Sequence, residues 1–233
     1  MVRTSKIWIF GQSHCLPYSL EDNRLGWDSL LSKKLKCRFR NFAGAGADNL
    51  FIFSTILQNI GKIKPYDIVV VGWSHPSRKT FILDETQQKK LATNSTRYIT
   101  PLHNFYRNKP HTKSDMKDTL KKWLSMKPKE SGIEFYDQWY KNYFNLAEQK
   151  INFRGYLIAV ESLLSKNIYL PFYFSADSVQ GIVKRAEKMC VTEFVRDNNL
   201  AISNTNAHMN YKGHSLWANK IYKKVQNEIK RKF

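Results

Sequence analysis

Acidic residues are scarce in this chain. Asp and Glu number 19 against 38 Lys and Arg, which gives a formal charge of +19 at pH 7 and a pI near 9.8. A surface that basic attracts polyanions such as nucleic acid, acidic glycan or anionic lipid, and names none of them. Cysteine is scarce as well. Cys15, Cys37 and Cys190 are scattered and odd in number. They argue against a disulfide scaffold and a Cys-based zinc site, and they favour a reducing compartment. Long apolar runs are missing. Stretches such as Ile68 to Val71 are a few residues long, far short of the roughly 20 needed to span a bilayer. At the start, Arg3 and Lys6 are followed only by Ile7 to Phe10 before Gly11, too short a core for a signal peptide. These absences lead to the expectation of a soluble, cytoplasmic protein. The Lys-, Asn- and Ile-rich composition suggests an AT-rich coding genome, and for a phage gene the compartment would be the host cytoplasm.

What is present suffices for a core. Hydrophobic residues make up 42% of the 233 positions and aromatics 14%, with only 10 Gly and 7 Pro, which excludes general disorder. Ile7-Trp8-Ile9-Phe10 reads as a buried parallel strand. Leu25 to Leu35 carries apolar residues at helical spacing. Cys37 to Ala43 reads as a more exposed strand. Asp48 can cap a helix from Asn49 through Ile60, which Gly61 stops. Ile68-Val69-Val70-Val71 is a β-branched strand. This strand–helix alternation implies a parallel sheet with helices on both faces. It resumes with Ile168 to Tyr173, where Pro171 suggests an edge strand, and with an amphipathic helix from Gly213 to Lys232.

The expected organisation is one domain over 1–233 with a basic, aromatic and mostly helical region inserted at about 76–165. Within it, residues 101–130 hold eight basic and three acidic residues, with Pro at 101, 110 and 128. The aromatics from 136 to 144 are read as the core of this cap.

In open parallel sheets, function gathers at the C-terminal ends of the strands. Those ends carry Gly11-Gln12-Ser13-His14, Asn41 through Asp48, and Gly72-Trp73-Ser74-His75-Pro76. Thr205 through His214 precedes the last helix. A serine hydroxyl needs a base to become nucleophilic, and neutral imidazole suits that task near pH 7. The Cys15 thiol is an alternative nucleophile. Four of the six histidines (14, 75, 208, 214) fall in these blocks. They show no HxH or HExxH spacing, so neither a metal nor a cofactor is expected. His214 reads as structural.

These four blocks, in this order, resemble the SGNH (GDSL-like) hydrolases. The resemblance implies a flavodoxin-like three-layer α/β/α fold. It places the nucleophile at Ser13, an oxyanion-hole glycine at Gly46 and the general base at His208. The chain departs from the family pattern in three places. Gln12 stands where Asp precedes the serine, Ser74 where an oxyanion Asn is usual, and Thr205 where Asp precedes the histidine. The implied site is therefore a Ser–His pair without the usual carboxylate. Its oxyanion hole would comprise the N–H groups of Ser13 and Gly46, with Ser74. Gln12, His14, Trp73, His75 and Arg78 are candidate substrate contacts. The function expected is a serine esterase acting on a small acyl ester, such as an O-acetyl group on a sugar or glycan. The alternative is a catalytically degenerate chain that binds a polyanion, such as nucleic acid or acidic glycan, or is structural.

Overall fold

The structure is a computed structural model. It describes residues 6–16, 25–44, 46–78, 81–82, 98–99, 142–183, 189–203 and 206–232. The chain divides into two compact units. One comprises Met1–His75 with Phe153–Phe233, and the other Pro76–Asn152.

The first unit is built on β1 (Lys6–Gly11), β2 (Arg38–Asn41), β3 (Ile68–Trp73) and β6 (Ile168–Tyr173). These strands form one parallel sheet in the order β2-β1-β3-β6. Their apolar side chains alternate between faces, as the two-residue period of a strand requires. On one face Ile7, Ile9, Ile68, Val70, Ile168 and Leu170 pack against α1 (Trp27–Leu35), α5 (Val191–Asp197) and α6 (Tyr211–Lys232). On the other, Trp8, Phe10, Val69, Val71 and Trp73 pack against α2 (Asn49–Asn59) and the buried side of α3 (Leu146–Leu163). The fold is therefore α/β, with a parallel sheet between two helical layers.

Local chemistry explains the element ends. The Asp48 carboxylate accepts from the Phe51 N–H at 2.8 Å and caps α2. That helix ends at Asn59 and tightens into a 3₁₀ turn over Ile60–Lys62. Pro171 lies in β6, which pairs on one side with β3 at the sheet's edge and makes a single bridge from Tyr173 to Cys190 on the other. The short helix α4 (Ala176–Val179) follows. His208, expected before the last helix, lies there on β8 (Asn206–Met209), which pairs antiparallel with β7 (Ala201–Ser203). One sequence expectation shifts. The last helix starts at Tyr211 rather than Gly213.

In the second unit, β4 (Phe81–Ile82) pairs antiparallel with β5 (Tyr98–Ile99). The basic stretch 101–130 and the aromatics from 136 to 140 lie outside the described residues, as does most of the helical reading for 76–165.

The sheet's upper end is closely packed. Gly11 and Gly72 sit side by side in register, and the buried Cys15 Sγ fills the space above both. A Cβ on Gly72 would lie 2.5 Å from that sulfur and 2.5 Å from the Phe172 ring. Gly72→Ala is expected to destabilise the protein by about 1–3 kcal/mol, read as a lower urea midpoint. An unchanged midpoint would show that this contact is slack.

Candidate functional site

Beyond Gly11 the chain turns through a short 3₁₀ segment, Ser13–Cys15. Gln12 caps it, its Oε1 accepting from the His14 N–H at 3.0 Å. The Trp27 indole donates to the His14 carbonyl at 2.9 Å, and Asn41 Nδ2 donates to the Cys15 carbonyl at 2.7 Å. The same Asn41 nitrogen lies 2.9 Å from the buried Asp28 carboxylate. Side chains from α1 and β2 thus fix the turn that presents Ser13.

His208 arrives from the far end of the sequence. Its strand is closed by Asn210, whose N–H donates to the Leu200 carbonyl at 2.8 Å. Asn210 Oδ1 then accepts from the Gly213 N–H at 2.9 Å, so one residue closes the hairpin through its backbone and caps α6 through its side chain. The result places His208 Nε2 2.9 Å from Ser13 Oγ. The hydroxyl has one proton and two neighbours in hydrogen-bond reach, Gln12 Oε1 at 3.0 Å, which accepts it, and His208 Nε2, which accepts in the tautomer protonated at Nδ1. A neutral imidazole can take that proton, whereas the amide oxygen can only hold it.

Ser13 is 2% exposed. The His14 ring lies against His208, with centroids 4.8 Å apart. The Phe174 ring contacts those of His14 and His75, with centroids at 5.9 and 6.4 Å. Ser74 is held by its backbone. Its N–H donates to Asn49 Oδ1 at 2.8 Å and its carbonyl accepts from Asn49 Nδ2 at 3.1 Å. Among the described residues its buried Oγ has no hydrogen-bond partner. Gly46 is buried with φ +71°, a left-handed conformation that glycine adopts without strain.

Other sequence candidates are placed differently. Cys15 is fully buried, and burial pushes its thiol pKa well up. The reactive thiolate is therefore disfavoured, and Cys15 is no rival nucleophile. Trp73 is wholly buried, stacks edge-on against Phe153 and donates to the Tyr169 hydroxyl at 3.1 Å. It is a core residue rather than a substrate contact. Gln12 is likewise buried beneath Ser13 and holds the turn instead of facing substrate. Arg78 is half-buried in the second unit. Thr205 lies outside the described residues. Among the described residues, no group of three or more His, Cys, Asp or Glu side chains is arranged to hold a metal ion, and no helix is long and apolar enough to cross a membrane.

Nothing in the sequence pattern assigns a role to Asn49, Trp27 or Asn41. Asn41 lies inside one of the four blocks, but its bonds to Cys15 and Asp28 are purely tertiary. Asn49 follows a helix cap and carries no local signal of its clamp on Ser74.

No family model matches the chain, and no curated protein matches it. Among solved structures it is similar to a member of the lipolytic protein G-D-S-L family from Veillonella parvula DSM 2008. That match has 12% identity over 94% of this chain and 97% of that one, with a TM-score of 0.46. It is also similar to a putative lipolytic protein of the G-D-S-L family from Desulfitobacterium hafniense DCB-2. Here identity is 10% over 94% of this chain and 99% of that one, with a TM-score of 0.38.

One buried histidine beside the site titrates unusually. His214 Nδ1 accepts from the Trp27 N–H at 3.2 Å, which only a neutral ring can do. Burial is the main cause that lowers its pKa to about 4; His208 adds to the depression and Asp28 opposes it. In the unfolded chain the ring takes a proton near pH 6.5, so the unfolded state binds more protons between those values. Stability is therefore expected to be complete above pH 6.5 and to fall as pH drops towards 4, by about 3 kcal/mol at most. Urea titrations across this range test it. The slope should flatten in His214→Gln, and an equal slope in both proteins would contradict it.

Proposed function

We propose that the chain is a serine hydrolase of esterase type. Ser13 is its nucleophile and His208 its base. The observation that carries this reading is the 2.9 Å contact between Ser13 Oγ and His208 Nε2. It is supported by a turn that Gln12 caps and whose carbonyls are held by Trp27 of α1 and Asn41 of β2.

In the acylation step Oγ attacks the ester carbonyl as its proton passes to Nε2. The C–O bond to the alcohol breaks, and His208 returns that proton to the leaving oxygen. Water then attacks the acyl carbon as its proton passes to His208; the bond from that carbon to Oγ breaks, and His208 returns the proton to Oγ, releasing the acid and restoring Ser13. The oxyanion formed in each half needs fixed donors. The N–H groups of Ser13 and Gly46 and the Ser74 hydroxyl fill that role. The Asn49 clamp supports it, because it holds Ser74 in place without occupying its Oγ.

A nucleophile only 2% exposed, in contact with His208, whose ring lies against that of His14, suits a short acyl group. An acetyl ester, such as O-acetyl on a sugar or glycan, is the substrate class of choice.

p-Nitrophenyl acetate and an O-acetylated sugar are the test substrates. Ser13→Ala and His208→Ala should each lower kcat/KM by roughly 10³-fold or more, and Ser74→Ala by about a hundredfold, mainly in kcat. Undiminished turnover in Ser13→Ala and His208→Ala would remove the assignment.

A further inference from the structure

The end of the sheet opposite Ser13 gathers cations to a degree the charge total does not reveal. All four sheet strands run parallel, so all begin at that end. Lys6 and Arg38 are paired in register at the starts of β1 and β2. Lys33 and Lys34 occupy the last turn of α1, and Lys36 follows as its left-handed cap. Lys62 and Lys64 lie on the connection into β3, and Lys166 on the connection into β6. Those two connections are joined: the Tyr66 N–H donates to the Lys166 carbonyl at 2.9 Å, and Asn167 Nδ2 donates to the Lys64 carbonyl at 2.6 Å. The tail of α6 docks on the same end, with Lys232 Nζ donating to the Ser165 carbonyl at 3.1 Å and to the Asn167 carbonyl. That brings exposed Lys230 and Arg231 alongside.

Carboxylates at this end offset little of the charge. Asp67 is buried, accepting from the Trp8 indole at 2.8 Å and the Lys64 N–H at 3.0 Å. Glu228 pairs with Arg231 at 2.6 Å. Glu161 is exposed in the last turn of α3.

A second feature gives the surface a chemical preference. Tyr66 is 46% exposed within this row and sits at φ +70°, an uncommon conformation for a bulky side chain. Strand spacing sets the row from β2 to β6 at about 14 Å. A line of cations with an exposed aromatic ring suits a linear polyphosphate whose bases can stack.

We propose that this end of the sheet is a binding surface for single-stranded nucleic acid. It is separate from the Ser13 site and does not depend on the hydrolase reading. The cations contact phosphates and the Tyr66 ring receives a base.

The test uses the full chain and a fluorescently labelled 20-mer of oligo(dT), read by anisotropy across a salt series. The triple variant Lys6→Glu/Arg38→Glu/Lys64→Glu is expected to weaken binding at least tenfold. The slope of log K against log salt should fall by about 1 for each phosphate that is no longer neutralised. Lys6→Gln/Arg38→Gln/Lys64→Gln, which is less disruptive to folding, should shift in the same direction. Tyr66→Ala should weaken oligo(dT) binding while leaving the salt slope unchanged. A control with the same charge change elsewhere, Arg154→Glu/Arg196→Glu/Lys212→Glu, should weaken binding less than threefold. Equal weakening in both triples would overturn the proposal, because net charge alone would then explain binding. So would binding to phosphatidylserine vesicles with none to oligo(dT). Acetyl-ester turnover in the triple variant reports on the Ser13 site separately.

Discussion

A single contact, Ser13 Oγ to His208 Nε2, joins side chains 195 positions apart. It exists because distant parts of the chain meet at the C-terminal end of the parallel sheet. β1 delivers Ser13 directly, two residues beyond its last residue, Gly11. His208 comes by a longer route, through β6, α5 and the β7–β8 hairpin, and is fixed by Asn210 at the head of α6. α6 then packs its apolar stripe, including Trp217, Ile221 and Val225, on the same face as α1. The packing of α6 on α1 therefore helps to set the separation of the two reacting groups.

The surroundings of Ser13 rest largely on side-chain amides. Gln12 caps the Ser13 turn, Asn41 ties Cys15 to Asp28, and Asn49 clamps Ser74. Each satisfies backbone groups that would be costly to bury unpaired. The close approach of Gly11, Gly72 and Cys15 explains why the turn can lie so near the neighbouring strand. The two ends of the sheet differ in chemistry. The end with Ser13 is lined by histidines and amides, while the end where the strands begin is crowded with lysine and arginine.

Much of the framework is legible in the sequence because its signals are local. Ile7 to Phe10 and Ile68 to Val71 have few alternatives to buried strands, and Asp48 caps as its residue type predicts. The parallel order follows from strand–helix alternation. The β7–β8 hairpin is not legible. Asn206-Ala-His-Met is four residues without a β-branched or aromatic side chain, too short a polar–apolar alternation to stand out, and its pairing is defined by Ala201 and Ser203. Ser13 and His208 stand out through the blocks that carry the resemblance. Trp73 and Gln12 read as facing substrate because a residue at a strand's end can point either way. Only the tertiary packing of Phe153, Tyr169 and the 3₁₀ turn directs them inward.

The central claim is that the Ser13 hydroxyl is activated by His208. Mapping a fluorophosphonate adduct by mass spectrometry tests it most directly. The account predicts one modified peptide, containing Ser13, with labelling abolished in Ser13→Ala and strongly slowed in His208→Ala. A protein that remains unlabelled, or an adduct on another residue formed at the same rate in both variants, would contradict it.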